Sequence, residues 1–272
     1  MKKIIIMLLL ITVSIIFSII IGLDSRIVTP FQLQYNNSTD PSVLTNNDDK
    51  AKAKHLINYV ISSYNDANDY SLFKPTNVNN IYTINTTIGG IFGVNYTHKA
   101  GLVYLFNDYA IVSFRGTCFK IDELIDSEIE YYTYPQTDIK VHRGFHKYYL
   151  GFKDELLKYI SNVNKVYITG HSLGASVALI TAYELKNKDI SLFLYGCPKS
   201  GNKNFVDSFD NAVSIVNYFD IIPESPEIIN KMFAIQNIYI FGIEQANDKL
   251  NHSIELYNDG IDCMEKLNTK CV

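Results

Sequence analysis

Residues 165–185 read KVYITGHSLGASVALITAYEL. The centre of that stretch, Gly170-x-Ser172-x-Gly174, constrains the chain more than any other feature. Val166, Tyr167 and Ile168 form a short β-branched and aromatic run suited to a buried strand. After Gly174, residues Val177, Ala178, Ile180, Thr181 and Leu185 recur at helical spacing. The order strand, tight turn, helix lifts Ser172 onto a strained backbone above the end of a strand. A helix that doubles back so closely leaves no room for side chains at Gly170 and Gly174. The same turn carries the Leu173 N–H to a helix N-terminus, where it faces a developing oxyanion. Three fixed positions match by chance in roughly one chain in ten of this length. The flanking strand and helix, and not the pattern alone, therefore give it meaning. Ser172 is either a nucleophile or a serine in a glycine turn, and the remaining chain must decide.

The chain has 272 residues, 47% of them apolar, enough for one sizeable α/β domain with a packed core. Its formal net charge is −4 and no basic stripe is present, which argues against a nucleic-acid partner. The start is different in kind. Lys2 and Lys3 precede an apolar run from Ile4 to Gly22, read as a signal peptide or signal anchor over residues 1–23. The lysines favour a cytosolic N-terminus, so the remaining chain is expected outside the cell or in a lumen. A polar lead-in over 24–48 and one domain over 49–272 complete the expected organisation. Sequons at Asn36, Asn37, Asn85 and Asn95 agree with export. None of Cys118, Cys197, Cys263 and Cys271 forms a C-x-x-C pair, which disfavours zinc. Cys263 and Cys271 are near enough to staple the C-terminal end; Cys118 and Cys197 either pair or stay buried and free.

Ala51–Tyr64 has apolar residues at helical spacing and reads as a surface helix. Gly101–Phe106 and Ala110–Phe114 read as strands of a hairpin joined through Asn107-Asp108. Further strands are expected at Ile190–Gly196 and Ala212–Tyr218. Strands alternating with helices imply an α/β fold: a mainly parallel central sheet with helices on both faces and the site at strand C-terminal ends. A nucleophilic Ser172 needs a base and a carboxylate in the chain order Ser, Asp, His. His252 is the only histidine after residue 172, so it is the base by elimination. Asp220 follows the strand SIVNYF, where strand ends point into the site. Asp207 and Asp210 lie in a polar stretch and are expected in solvent. Asn251, His252 and Ser253 form another sequon; a glycan there would block the base, so Asn251 is expected to be unmodified.

Six blocks in order resemble the lipase class 3 family, of the fungal triacylglycerol lipase type within the α/β-hydrolases. They are SFRGT (113–117), VHRGFHKYY (141–149), ITGHSLGAS (168–176), YGCPKSGNKNF (195–205), VNYFDIIPESP (216–226) and NHSIELY (251–257). The resemblance implies that Ser172 attacks an ester carbonyl, that His252 relays the proton and that Asp220 orients His252. It also implies an oxyanion hole from the N–H groups of Thr117 and Leu173. Residues 118–130 would form an amphipathic lid, with Ile121, Leu124, Ile125 and Ile129 on one side and Asp122, Glu123, Asp126, Glu128 and Glu130 mostly on the other. The chain departs from the family in having no tryptophan in the lid, a short Asp-to-His spacing and Cys197 where glutamine is common. The acid-rich lid would weaken binding to anionic membranes.

These features predict a serine-dependent ester hydrolase acting on acylglycerols, with a lipid substrate at a lipid–water interface and neither cofactor nor metal. A phospholipase A1 or short-chain esterase would use the same chemistry. An acyltransferase would use an alcohol in place of water, and an inactive lipid-binding module would not need all three of Ser172, Asp220 and His252.

Overall fold

The computed structural model describes residues 25–26, 32–38, 40–89, 95–225, 232–235 and 237–267. The N-terminal apolar segment falls outside them. The elements in chain order are α1 (Asp49–Ala67), β1 (Asn80–Gly89), β2 (Asn95–Leu105), β3 (Tyr109–Phe114), α2 (Lys120–Ser127), β4 (Tyr131–Thr133), β5 (Lys140–His142), α3 (Arg143–Leu150) and α4 (Lys153–Tyr159). They continue with β6 (Lys165–His171), α5 (Leu173–Glu184), β7 (Asp189–Tyr195), α6 (Lys203–Val206), β8 (Ala212–Asn217), β9 (Ile238–Phe241), α7 (Asp248–Asn251), α8 (Ile254–Gly260) and β10 (Glu265–Lys266).

Among the described residues, eight strands form one sheet in the order β1-β2-β3-β6-β7-β8-β9-β10. The centre, β3 to β9, is parallel. β1, β2 and β3 pair antiparallel, and β10 runs antiparallel to β9. The β2–β3 hairpin closes through the expected Asn107-Asp108 link, with Leu105 opposite Ala110. β2 begins at Asn95, well before the apolar run that marked it in the sequence. β1 was not legible. In its Asn- and Thr-rich sequence the buried positions are Ile84, Thr86 and Ile88, so a polar residue interrupts the apolar alternation of this edge strand.

α1 packs on β2, β3 and β6, while α5 packs on β3, β6 and β7 and carries α3 on its back. α1 is not the surface helix expected from its pattern. From His55 to Ala67 every residue is buried. Its polar side chains are buried because neighbours take up their hydrogen bonds. Tyr104 donates to Ser62 Oγ at 2.6 Å, and Ser63 Oγ lies 2.7 Å from Ser113 Oγ. Asn65 clasps Leu33 in the lead-in, accepting from its N–H at 2.8 Å and donating to its carbonyl at 3.0 Å. Such pairing offsets the cost of removing polar groups from water. Asp48 starts the helix by accepting from the N–H groups of Lys50 and Ala51.

The glycines flanking Ser172 are fixed by contact. A Cβ on Gly170 would collide with the Gly174 carbonyl, and a Cβ on Gly174 would collide with the Arg115 carbonyl. All of these atoms are backbone, so relief requires moving β3 or α5. Gly174→Ala is expected to cost roughly 3 kcal/mol, a fall in Tm of about 10 °C for a domain of this size. A thermal melt of that variant checks it; an unchanged Tm would mean that α5 shifts at no cost.

Candidate active site

The C-terminal ends of β3, β6 and β8 converge on one point. β6 ends at His171 and α5 begins at Leu173, which leaves Ser172 alone in the turn with φ 57° and ψ −129°. Only a few per cent of non-glycine residues adopt positive φ, and the conformation costs on the order of 1–3 kcal/mol. Neighbouring backbone holds it there: the Ser172 N–H donates to the Tyr195 carbonyl at 3.0 Å, and its carbonyl accepts from Ala175 at 2.9 Å. The side chain is thereby lifted clear of the sheet.

His252, between α7 and α8, places Nε2 2.7 Å from Ser172 Oγ. Its Nδ1 lies 2.6 Å from Asp220 Oδ2. A carboxylate accepts and does not donate, so Nδ1 carries the proton and Nε2 is left as acceptor for the serine hydroxyl. Asp220 is 5% exposed and follows β8 by three residues. Its second oxygen accepts from the Ile222 N–H at 2.9 Å. The three residues singled out in the sequence therefore meet at hydrogen-bonding distance. Asp207 and Asp210 are exposed, as expected.

The sequence did not reveal the groups that hold this relay. The Tyr257 hydroxyl donates to Asp220 Oδ2 at 2.7 Å, the same oxygen that faces His252. Tyr257 is fully buried and also accepts from the Asn217 N–H at 3.2 Å. Asn217 donates to the carbonyls of Ile243 and Asn251, both at 3.0 Å, so the end of β8 is tied to the loop bearing His252. Asn251 is 6% exposed, which leaves no room for a glycan. The sequence signal for Tyr257 was its place at the end of the block NHSIELY, five residues after His252.

His171 lies behind His252, the two rings 4.7 Å apart. Burial, and then the proximity of His252, hold its pKa well below the usual histidine range, so it is neutral. A neutral His171 does not oppose a positive charge on His252. Tyr64 Oη, 2.7 Å from His171 Nδ1, fixes the ring.

The turn after β3 carries Thr117. Arg115, fully buried, donates to Asp122 Oδ2 at 2.7 Å, and that oxygen also accepts the N–H groups of Cys118 at 2.9 Å and Phe119 at 3.0 Å. Asp122 thus shapes the turn from inside, which corrects its expected place on the polar face of the helix. The amphipathic pattern misled because the buried Arg115 cation sets the local demand for charge. Ile125 is buried as expected, whereas the side chains of Ile121 and Leu124 fall outside the description. Among the described residues, neither the Thr117 nor the Leu173 N–H donates to a backbone carbonyl.

Asp126 was also expected on the polar face. Its Oδ2 accepts from the Thr117 hydroxyl at 2.8 Å. Burial pushes its carboxyl up to about 7; Asp122 and Glu123 add to this, while the Thr117 hydroxyl and Arg115 oppose it. The folded chain therefore binds a proton between about pH 4 and 7 that the unfolded chain releases. Stability should fall as pH rises through that window, by up to roughly 4 kcal/mol. Asp126→Asn is expected to remove this descent. Melts of both proteins at pH 4.5 and 8 test it, and parallel profiles would sink the assignment.

Two cavities flank Ser172. One, of about 280 Å³, reaches His252 and is walled by Leu33, Tyr64, Leu250, Ile254, Lys249 and Glu255. The other, of about 150 Å³, lies on the Leu173 side, among Asp126, His142, Phe145, Pro198 and Ile222. Burial pushes His142 down to about 4, so it stands neutral in that wall. Among the described residues, no group of three or more His, Cys, Asp or Glu side chains is placed to hold a metal. No described helix is long and apolar enough to cross a membrane. Cys118 and Cys197 are buried and free, and Cys271 falls outside the described residues, so the staple to Cys263 does too.

Residues 111–230 match the family model Lipase (class 3). The chain is 28% identical over 141 residues to the secreted mono- and diacylglycerol lipase MDL3 of Malassezia globosa, covering 44% of this chain and 42% of that protein. It is 38% identical over 72 residues to phospholipase A1-II 1 of Oryza sativa subsp. indica, covering 22% and 18%. Over 96 residues it is 31% identical to toxin TseL of Vibrio cholerae, covering 32% and 15%. The chain thus spans less than half the length of each of these relatives. Among solved structures, the mono- and diacylglycerol lipase from Aspergillus oryzae matches with a TM-score of 0.58 at 19% identity, covering 74% of this chain and 83% of that one. This likeness fixes the fold as that of the α/β-hydrolases. The Ser172 turn lies inside the segment 111–230 that matches the lipase (class 3) model.

Proposed function

We propose that the protein is a serine-dependent carboxylic ester hydrolase that releases fatty acids from acylglycerols through an acyl-enzyme. The single observation behind this reading is the unbroken relay Ser172–His252–Asp220 standing between two cavities. Ser172 Oγ attacks the ester carbonyl carbon while its proton passes to His252 Nε2. Asp220 holds Nδ1–H and stabilises the imidazolium. The N–H groups of Thr117 and Leu173 receive the oxyanion, each worth roughly 3 kcal/mol in the transition state. When the intermediate collapses, the C–O bond to the leaving alcohol breaks and Nε2 returns its proton to that oxygen. Water then attacks the Ser172 ester by the same route in reverse, giving the fatty acid and restoring the serine.

The relay also assigns the cavities. Only the cavity walled by His252 adjoins the proton donor, so the leaving alcohol occupies it and the acyl chain enters the one beside Leu173. Apolar Phe145, Pro198 and Ile222 suit an acyl chain there. Export fits the apolar N-terminus and the secreted Malassezia relative.

The test is fatty-acid release from emulsified triacylglycerol, diacylglycerol and phosphatidylcholine. Release from the first two supports acylglycerols as substrates, and release from the last alone moves the reading to a phospholipase A1. A folded protein that acts on none of them and resists a serine-directed phosphonate would overturn the reading.

A further inference from the structure

Tyr64 stands where three parts of the chain meet beside Ser172. It belongs to α1 and lines the leaving-group cavity, and its hydroxyl lies 2.7 Å from His171 Nδ1. The ring of His171 in turn packs 4.7 Å from that of His252. The same hydroxyl abuts Gly116, the residue before Thr117. A Cβ on Gly116 would collide with Tyr64 Oη and press on Ser172 Cβ and the His171 carbonyl. One phenol thus touches the turn that presents the Thr117 N–H and reaches, through His171, the ring of His252.

His171 depends on this contact. Its Nε2 is buried and has no hydrogen-bond partner among the described residues, so the bond at Nδ1 is what orients the ring. Burial holds the Tyr64 hydroxyl well above its usual range and the His171 imidazole well below its own. Both are therefore neutral, and the bond does not titrate near neutral pH. Tyr64 is itself held on either side along α1. Ser63 Oγ lies 2.7 Å from Ser113 Oγ of β3, and Asn65 clasps the backbone of Leu33. A helix tied in this way cannot slide without breaking buried hydrogen bonds.

We propose that Tyr64 is a positioning residue for the relay: through His171 it fixes His252 relative to the Thr117 turn, with Ser172 between them. It acts through these groups and not on the reacting atoms. The link serves both halves of the reaction, because the base and the oxyanion N–H groups are used in acylation and in deacylation alike. This kinetic consequence rests on the ester-hydrolase reading; the geometric link does not.

Tyr64→Phe keeps the ring in the cavity wall and removes the hydroxyl alone. The test is burst kinetics on a short p-nitrophenyl ester dissolved in water. Both the burst rate, which reads acylation, and the steady rate, which reads deacylation, should fall about tenfold, with KM within twofold. A misplacement of about 1 Å suffices for a loss of up to roughly 10²-fold. A residue that merely walled the alcohol cavity would slow acylation alone, since the alcohol has left before deacylation. An unchanged deacylation rate would therefore overturn the proposal. The double variant Tyr64→Phe/His171→Leu sets two apolar groups together and removes the unpaired nitrogen that threatens the fold of the single variant. Because one link is cut once, it should lose no more than about threefold beyond His171→Leu; losses that multiply would also overturn the proposal. In NMR spectra of the histidine rings, Tyr64→Phe should move the His252 signals together with those of His171, whether or not ester is turned over. Unmoved His252 signals would overturn the link. Moved signals in a protein that forms no acyl-enzyme would keep the link and sink the ester-hydrolase reading instead.

Discussion

Replacing Ser172 with alanine is expected to lower ester hydrolysis by roughly 10⁵-fold or more, to the level left by binding and oxyanion contacts alone. The magnitude is large because, in the proposed mechanism, Ser172, His252 and Asp220 act as a unit: without the nucleophile the base has no proton to take. Folding should be little changed. Ser172 Oγ hydrogen-bonds to His252 Nε2, whereas the strained turn is held by backbone bonds. Alanine tolerates positive φ no better than serine, so the Tm should move by no more than a few degrees. Turnover of a chromogenic ester and labelling by a phosphonate probe check this together. Residual activity within tenfold of the wild type would mean that another residue is the nucleophile.

Asp220→Asn is expected to lower kcat by about 10⁴-fold. Asp220 Oδ2 faces two donors, His252 Nδ1–H and the Tyr257 hydroxyl. Asparagine offers one carbonyl oxygen without charge, so it can no longer stabilise the imidazolium. If its amide turns toward His252, the ring must present Nδ1 as acceptor, and Nε2–H then points at a serine hydroxyl it cannot deprotonate. Tyr257→Phe keeps the charge and removes two hydrogen bonds, one to Asp220 Oδ2 and one from the Asn217 N–H; loss of the first is worth about 1.4 kcal/mol or a tenfold fall in kcat. The ordering of the two losses is the informative result. A Tyr257→Phe loss as large as that of Asp220→Asn would mean that Tyr257 positions the loop and not merely the carboxylate. These turnovers should be measured with a soluble ester, so that docking on lipid does not enter.

Much of the molecule was legible from short-range patterns. The strand–turn–helix around Ser172 follows from a β-branched run, two glycines and helical spacing, all within about twenty residues. The β2–β3 link and the parallel β7 and β8 were legible for the same reason, since each is a compact apolar run bounded by polar residues. His252 and Asp220 were reached by chain order and elimination, which needs no contact information. α1 misled because its pattern of polar residues is that of an exposed face. Only the buried partners Ser113, Tyr104 and Leu33, distant in sequence, reveal that each polar group is satisfied.

The sequence by itself determined the turn that exposes Ser172, the residue types of the relay and the alternation of strands with helices. These depend on backbone sterics and hydrophobic periodicity, which act over a few residues. Only the tertiary structure decided that Tyr257 shares an oxygen with His252, that Asp122 turns inward to Arg115 and that Asp126 holds its proton near neutral pH. Each of these depends on burial or on charges brought together by chain closure, and no local pattern encodes which distant group will supply the partner.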